Sequence, residues 1–183
     1  MTEDAKDKLT PAQRTAIAAL RRPCVPFEQS PEEQKQAEEV RAGDPMSDGS
    51  IYLGSYSGKD WFVTAEDAKD KNGHDLKMDF NDAAKYAKNL KAHGHDDWKL
   101  PPGGAVPGEP DILNQMFNHK STGAFRGTYD ESGSASGWYW CTKKLQTKFG
   151  GGVWGRLFSI GTGAWRTKSA HISVRCVRSE PRP

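Results

Sequence analysis

The sequence predicts a single α+β domain over residues 46–183, preceded by a helical arm over residues 1–45. After a hairpin, the domain has two helix patterns, and only short, aromatic, turn-rich β-like segments follow them, which is typical of an α+β arrangement. Six Trp, seven Phe and five Tyr occur beside 19 Gly and 11 Pro, although only 35% of residues are apolar. This composition favours a loop-rich domain with aromatic anchors over a helical bundle. A chain of 183 residues is long enough for one good core.

The first 45 residues read as a separate module of two helices. Thr10 is a good N-cap for "LTPAQRTAIAAL", and Ser30 is one for "SPEEQKQAEEVRAG", which we expect to end at Gly43. The second helix has almost no apolar face, so it needs exposure to solvent or a docking partner. We expect an arm that docks onto another protein or another subunit. A lid packed on its own domain is the alternative.

The domain begins with a predicted hairpin and the best helix of the chain. Strands at about 50–56 and 60–64 flank "SGKD", a hairpin signal. "MDFNDAAKYAKNLKAHG" follows, with Asp79 as its cap, an apolar stripe at helical spacing and Gly94 as its predicted end. Trp98 and Leu100 are then expected to point inward.

A shorter helix and four β-like segments complete the prediction. "DILNQMFNHK" supplies the helix, with four apolar residues on one side. The β-like segments are "GWYWCT", "GVWGRLFSI", "GAWRTK" and "HISVRCVR". Because neighbours in a strand point to opposite faces, one pair of "WYWC" is expected to face the core.

Several of these segments carry a resemblance to a known family. The segments lie within residues 48–178 and are "DGSIYLG", "HDDWKLP", "SGWYWCT", "VWGRLFSIG" and "SVRCVR". This series resembles a bacterial and phage domain family of unknown function, found at the C-terminus of collagen-like adhesins. That family is similar to the C-type-lectin and formylglycine-generating-enzyme fold. The resemblance implies a C-type-lectin-like domain, with Trp138, Trp140, Trp154, Phe158, Val174 and Cys176 in the core.

Thiol chemistry is one candidate activity. The resemblance to the enzyme branch raises a formylglycine-generating type of thiol oxidase that would use Cys141 and Cys176, both on predicted strands of one small sheet. Such chemistry needs two cysteines close in space, one of them activated. Buried cysteine more often behaves as a small apolar residue. We therefore keep the enzyme as the alternative and expect no catalytic residue.

A metal site is a second candidate. "HGHDD" offers two His and two Asp after the helix, and "GEPD" faintly resembles a calcium and sugar motif of animal lectins. A Ca²⁺ site needs six to eight oxygen ligands from several loops, and His is a poor ligand for it. A turn that caps the helix and hydrogen-bonds its neighbours is the preferred interpretation. No metal and no cofactor are predicted.

Binding is the third candidate and the one we favour. Trp165 with Arg166 is expected to form an exposed aromatic–cation pair, as in interface hot spots. The resemblance leaves Leu157 and Ser159 pointing outward. The alternative is that Trp165 plugs the base of its own domain. The predicted binding residues are Lys143, Lys144, Leu157, Trp165, Arg166, Lys168 and His171.

The charge and the termini set the functional expectations. A net charge of +2, from 26 basic and 24 acidic residues, gives no argument for nucleic acid or for membrane insertion. No signal peptide is recognisable, so we expect synthesis in the cytoplasm, and a place on the virion surface if the gene is phage-encoded. We expect a non-catalytic recognition or adhesion module, such as a phage decoration or receptor-binding protein.

Its partners would be of two kinds. Residues 1–45 would attach it to other virion or surface-assembly proteins, and the loops of 141–171 would bind a cell-surface glycan or protein. A homo-oligomer and an intracellular structural protein are further alternatives.

Overall fold

The computed structural model describes residues 39–104, 108–133, 136–147 and 150–182. The two helices predicted within the first 38 residues therefore lie outside the described residues. Residues 39–43 are described and are not helical, so the helix predicted to end at Gly43 does not reach it. The Gly43 backbone is instead bonded to the folded domain: its amide donates to the Tyr52 carbonyl at 2.8 Å, and its carbonyl accepts from the Ala124 amide. From Val40 onward the chain forms one compact unit.

The described part of the chain is α+β, with two α-helices and two three-stranded antiparallel sheets. The elements in chain order are β1 Ile51–Tyr56, β2 Lys59–Val63, α1 Phe80–Asn89, α2 Ile112–His119, a 3₁₀ turn Gly123–Phe125, β3 Trp138–Thr147, β4 Gly150–Leu157, β5 Gly163–Thr167 and β6 Val177–Pro181. The predicted α+β class is confirmed at this level. Within the described ranges, no helix is long and apolar enough to span a membrane.

The first sheet has the order β1-β2-β6 and contains the predicted hairpin. Ser57 and Gly58 make its turn, with φ of 53° and 70°. A two-residue hairpin loop with φ > 0 at both positions matches the right-handed twist of the strands. The strand boundaries differ from the predicted ones by one residue.

The two helices form where the sequence places them, but α1 is shorter than expected. The Asp79 side chain accepts from the Asp82 amide at 2.9 Å, and Asp111 caps α2 in the same way. α1 ends at Asn89 rather than at Gly94, because Leu90 already has extended φ and ψ of −66° and 126°. Gly94, with φ of 75°, serves the turn that follows the helix.

The second sheet, β3-β4-β5, lies between two cores. Alternate residues of β3 enter different cores: Trp138 and Trp140 pack on the α1 side, while Tyr139 and Cys141 pack on the α2 side. All four are buried. The expectation that only one pair of "WYWC" faces a core is therefore wrong, because both faces of this strand are covered.

The same arrangement buries Leu157, which was predicted to point outward as a binding residue. Leu157 is 4% exposed, lies opposite Trp138 and belongs to the core next to α1. Its neighbour Phe158 belongs to the other core. Consecutive residues are both buried because β4 also has a core on each face. Ser159 is half-buried at the turn that follows.

A buried polar network ties the segment before β6 to the loop after β2. The Arg175 guanidinium lies 3.2 Å from Asp67 and donates to the carbonyls of Thr64, Ala65 and Thr128. The Tyr139 hydroxyl donates to the other Asp67 oxygen. Buried charges are tolerated when they are paired and hydrogen-bonded in this way.

Candidate functional site: an aromatic surface on the second sheet

The second sheet separates the predicted binding residues instead of gathering them. Lys143 and Trp165 lie on its α2 side, whereas Lys144 and Arg166 lie on its α1 side, in one row with Val153. Lys168 and His171 follow β5 and are exposed. The reason is strand alternation, because adjacent residues of β3 and of β5 point to opposite faces. The seven predicted residues therefore do not form one face.

Arg166 shows the consequence most clearly. Its guanidinium carbon lies 4.5 Å from the ring centre of Trp138, on the α1 side of the sheet. Trp165 points the other way. The expected aromatic–cation pair of Trp165 with Arg166 is therefore wrong, and the cation that accompanies Trp165 is Lys143.

Four residues form what we call the aromatic surface: Lys143, Leu145, Trp154 and Trp165. Trp154 lies opposite Trp165 in the β4–β5 ladder, and their rings meet edge to face at 5.2 Å and 78°. The Lys143 ammonium lies 6.0 Å from the Trp154 ring centre and 5.8 Å from that of Trp165. Trp165 is 39% exposed and Leu145 37%. Two rings and an ammonium group are thus held together at the surface of the sheet.

Two glycines let the backbone approach Trp154 closely. A Cβ at Gly104 would lie 3.0 Å from Cγ and Cδ1 of the indole, and one at Gly163 would overlap the other end of the ring. Gly104 has φ of 78°, a conformation that side chains disfavour. Its carbonyl accepts a hydrogen bond from the Lys143 ammonium. The ring and the lysine are therefore fixed from the same loop.

The charge around this surface has one sign. Residues 132–179 contain eight Lys and Arg and no Asp or Glu. Three of the arginines contact carboxylates from elsewhere in the chain: Arg156 with Asp111, Arg175 with Asp67 and Arg178 with Asp48. Lys143 and Lys168 have no carboxylate partner among the described residues. The exposed part of the aromatic surface therefore favours a neutral or anionic ligand over a cationic one.

Lys168 and His171 border this surface without joining it. Lys168 extends across Gly151, so it is near the end of the β3–β4 ladder. The Nδ1 atom of His171 lies 3.1 Å from the Ser169 carbonyl, within its own loop. Neither side chain contacts Trp154 or Trp165 in the described contacts.

Lys144 lies on the opposite face of the sheet, at a concave groove. Its ammonium lies 5.0 Å from the ring centre of Phe80, the first residue of α1. Asp96 and Asp97, which were weighed as metal ligands, line the same groove. Sequence reasoning named these charged residues but did not bring them together. Their meeting depends on how α1 packs on β3.

The two described cysteines are free, buried and on different sides of the second sheet. Burial raises the pKa of each thiol to about 12, so neither is a thiolate at neutral pH. Cys141 donates its thiol hydrogen to the Trp154 carbonyl at 3.1 Å. A nucleophilic cysteine needs the opposite environment, with a lowered pKa and access for the substrate.

The "HGHDD" segment makes a turn that contacts the N-terminal end of the domain. Ala92 and His95 exchange backbone hydrogen bonds, and His93 has φ of 56°. Nε2 of His95 lies 3.1 Å from an Asp48 carboxylate oxygen, and Nδ1 of His93 lies 3.1 Å from the Asp48 carbonyl. The turn does hydrogen-bond its neighbours, but it does not cap α1. Among the described residues, no group of three or more His, Cys, Asp or Glu could hold a metal ion.

Comparison with the models of known protein families and with curated proteins finds no match. The resemblance of residues 48–178 to the family of the collagen-like adhesins therefore stays a prediction, carried by the motifs quoted above.

Proposed function

We propose that the domain is a non-catalytic recognition module, and that the aromatic surface is where it binds a cell-surface glycan or protein. The observation that carries the proposal is the exposed Trp165 ring, fixed edge to face on Trp154 with the Lys143 ammonium beside both rings. Large aromatic side chains next to a cation dominate the binding energy of many interfaces. Such rings also offer an apolar face on which a sugar can stack.

Rigidity supports this proposal. Leu145, Trp154 and Trp165 lie at paired positions of the sheet, and Lys143 is hydrogen-bonded to a backbone carbonyl. A ligand would therefore meet side chains that are already ordered, so less conformational entropy is lost on binding. The buried thiols, with their raised pKa values, give the rival thiol-oxidase hypothesis no activated group.

The wider setting belongs to the same proposal. A C-type-lectin-like fold would present the aromatic surface outward, and the segment before residue 46 would attach the domain to a larger assembly. A phage virion is the setting we favour, as a decoration or receptor-binding protein. The motif series within residues 48–178 supports this choice.

The test is binding of the labelled protein to intact bacteria and to an array of cell-surface glycans. Trp165→Ala is expected to weaken binding by about 30-fold, the equivalent of about 2 kcal/mol. Ile160→Ala is the matched control, because Ile160 is an apolar residue that is 70% exposed in the turn after β4 and is not one of the four residues of the aromatic surface. Equal binding by wild type and Trp165→Ala would refute the proposed surface.

A further inference from the structure

A groove on the α1 side of the second sheet has the features of a second binding site, separate from the aromatic surface. It lies between α1, the segment Asp96–Leu100 and the middle of β3, and has a volume of about 560 Å³. Volumes of this order are usual for sites that bind small molecules. It faces the opposite side of the sheet from Trp165, so an occupant would not compete with a ligand there.

The floor of the groove is apolar. It is formed by the rings of Phe80 and Trp98 with Leu100, and by the small side chains Ala84 and Ala87 on α1. Four of these residues are buried members of the adjacent core, and this packing holds the floor in place: Phe80, Ala87, Trp98 and Leu100. An occupant would therefore gain from placing apolar groups against this wall.

The rim of the groove carries charges of both signs. Lys144 lies at the end where α1 begins, with its ammonium over Phe80. Asp96 and Asp97 reach the groove just after the Ala92–His95 turn, which follows the other end of α1. None of these three side chains has a hydrogen bond or an ion pair with another described residue. Both signs are thus presented to one cavity with no ion pair between them, although Asp97 also attracts the neighbouring Lys99 electrostatically.

Two further lysines line the groove and do not change this pattern. Lys99 directs its ammonium elsewhere, to the Ser179 hydroxyl at 3.3 Å and over the Trp61 ring. Lys88 is exposed on the last turn of α1. Among the described residues, Asp96 and Asp97 are the only acidic ones that line the groove.

The length of the α1 wall indicates the size of the ligand. Phe80 and Lys88 are eight residues apart on α1, so the helical wall is about 12 Å long. Three residues of extended peptide span about 10 Å. We propose that the groove binds a short apolar peptide with free termini, with its carboxylate at Lys144, its ammonium group at Asp96 and Asp97, and its side chains on the apolar floor.

The test uses the tripeptide Leu-Ala-Leu and two derivatives that each lack one charge. Binding to the full chain is followed by calorimetry. The free tripeptide is expected to bind, and N-acetylation or C-terminal amidation is expected to weaken it by about tenfold each. Lys144→Gln should weaken the free peptide by a similar factor but leave the amide unaffected, because the partner carboxylate is already missing. Lys144→Arg keeps the charge and should preserve binding.

Lys85→Gln is the matched control, since Lys85 is exposed on α1 and outside the groove. It should bind the tripeptide as well as wild type does. The proposal is overturned if wild type does not bind the free tripeptide at millimolar concentration. It is also overturned if the N-acetyl or amide form binds equally well, or if Lys85→Gln and Lys144→Gln have the same effect.

Discussion

Replacing Trp140 with alanine measures how much of the stability comes from the core between α1 and the second sheet. Trp140 is 1% exposed, and its ring meets Phe80 edge to face at 5.6 Å and 79°. A buried Trp-to-Ala change costs about 3–5 kcal/mol, because burial is lost and a cavity remains. The Trp140 indole donates to the Met78 carbonyl at 2.9 Å, but that oxygen also accepts from the Ile172 amide. Losing this bond therefore leaves no orphan carbonyl and adds little.

Trp165→Ala is the comparison, since it removes the same kind of side chain from an exposed position. The edge-to-face contact between Trp165 and Trp154 is worth about 1 kcal/mol, so its loss should cost about that much stability. The two variants are expected to differ by at least about 2 kcal/mol. Trp140→Phe, which leaves a smaller cavity, should lie between them and serves if Trp140→Ala does not fold.

The assay is urea unfolding followed by far-ultraviolet circular dichroism, because each variant lacks a tryptophan and its fluorescence is not comparable. The midpoint should fall for Trp140→Ala without a change in slope. A loss below about 1.5 kcal/mol for Trp140→Ala would refute the cavity argument. A loss for Trp165→Ala as large as that for Trp140→Ala would show that Trp165 is a core residue.

Three further predictions concern other parts of the domain. Burial raises the pKa of Asp67 from 3.8 to about 6, so the folded state holds this proton more tightly than the unfolded state does. Relative to Asp67→Asn, wild type should therefore lose up to about 3 kcal/mol of stability as the pH rises from 4 to 7. A urea series in which this difference stays constant or grows would contradict the prediction. In a Cys24→Ser variant, which leaves only the two buried thiols, Cys141 and Cys176 should react with Ellman's reagent only as fast as the protein unfolds; rapid labelling of that native variant would contradict their burial. Gly163→Ala should displace the Trp154 ring and cost about 1–3 kcal/mol, whereas an unchanged melting curve would show that the close approach is not needed.

The sequence predicted those elements whose signals are local. α1 and α2 each have an Asp N-cap followed by apolar residues at helical spacing, and both form. The "SGKD" hairpin forms because Ser57 and Gly58 adopt the φ values that its turn requires. The end of α1 was missed because Gly94 is a stop signal that belongs to the next turn.

The faces of the second sheet could not be predicted in this way. Strand alternation shows which residues share a face, but not whether a face is covered. Leu157 was placed outward because one buried face was assumed, whereas the structure covers both. Trp165 was correctly expected to be exposed, yet its partners Trp154 and Lys143 come from other strands. Such contacts depend on the β3–β4–β5 register, and β3 has an irregularity between Trp140 and Lys144.

The indole N–H signals of the six tryptophans give the most direct test of the recognition proposal. Solubilised bacterial cell-surface glycans or proteins are added to the ¹⁵N-labelled protein, and the six indole signals are followed in ¹H–¹⁵N correlation spectra. The signals of Trp165 and of Trp154, whose buried indole N–H has no hydrogen-bond partner among the described residues, are expected to shift together. Three signals should stay in place, because their N–H groups are bonded to backbone carbonyls inside the domain: Trp61, Trp98 and Trp140. Shifts at these three with none at Trp165 would contradict the account.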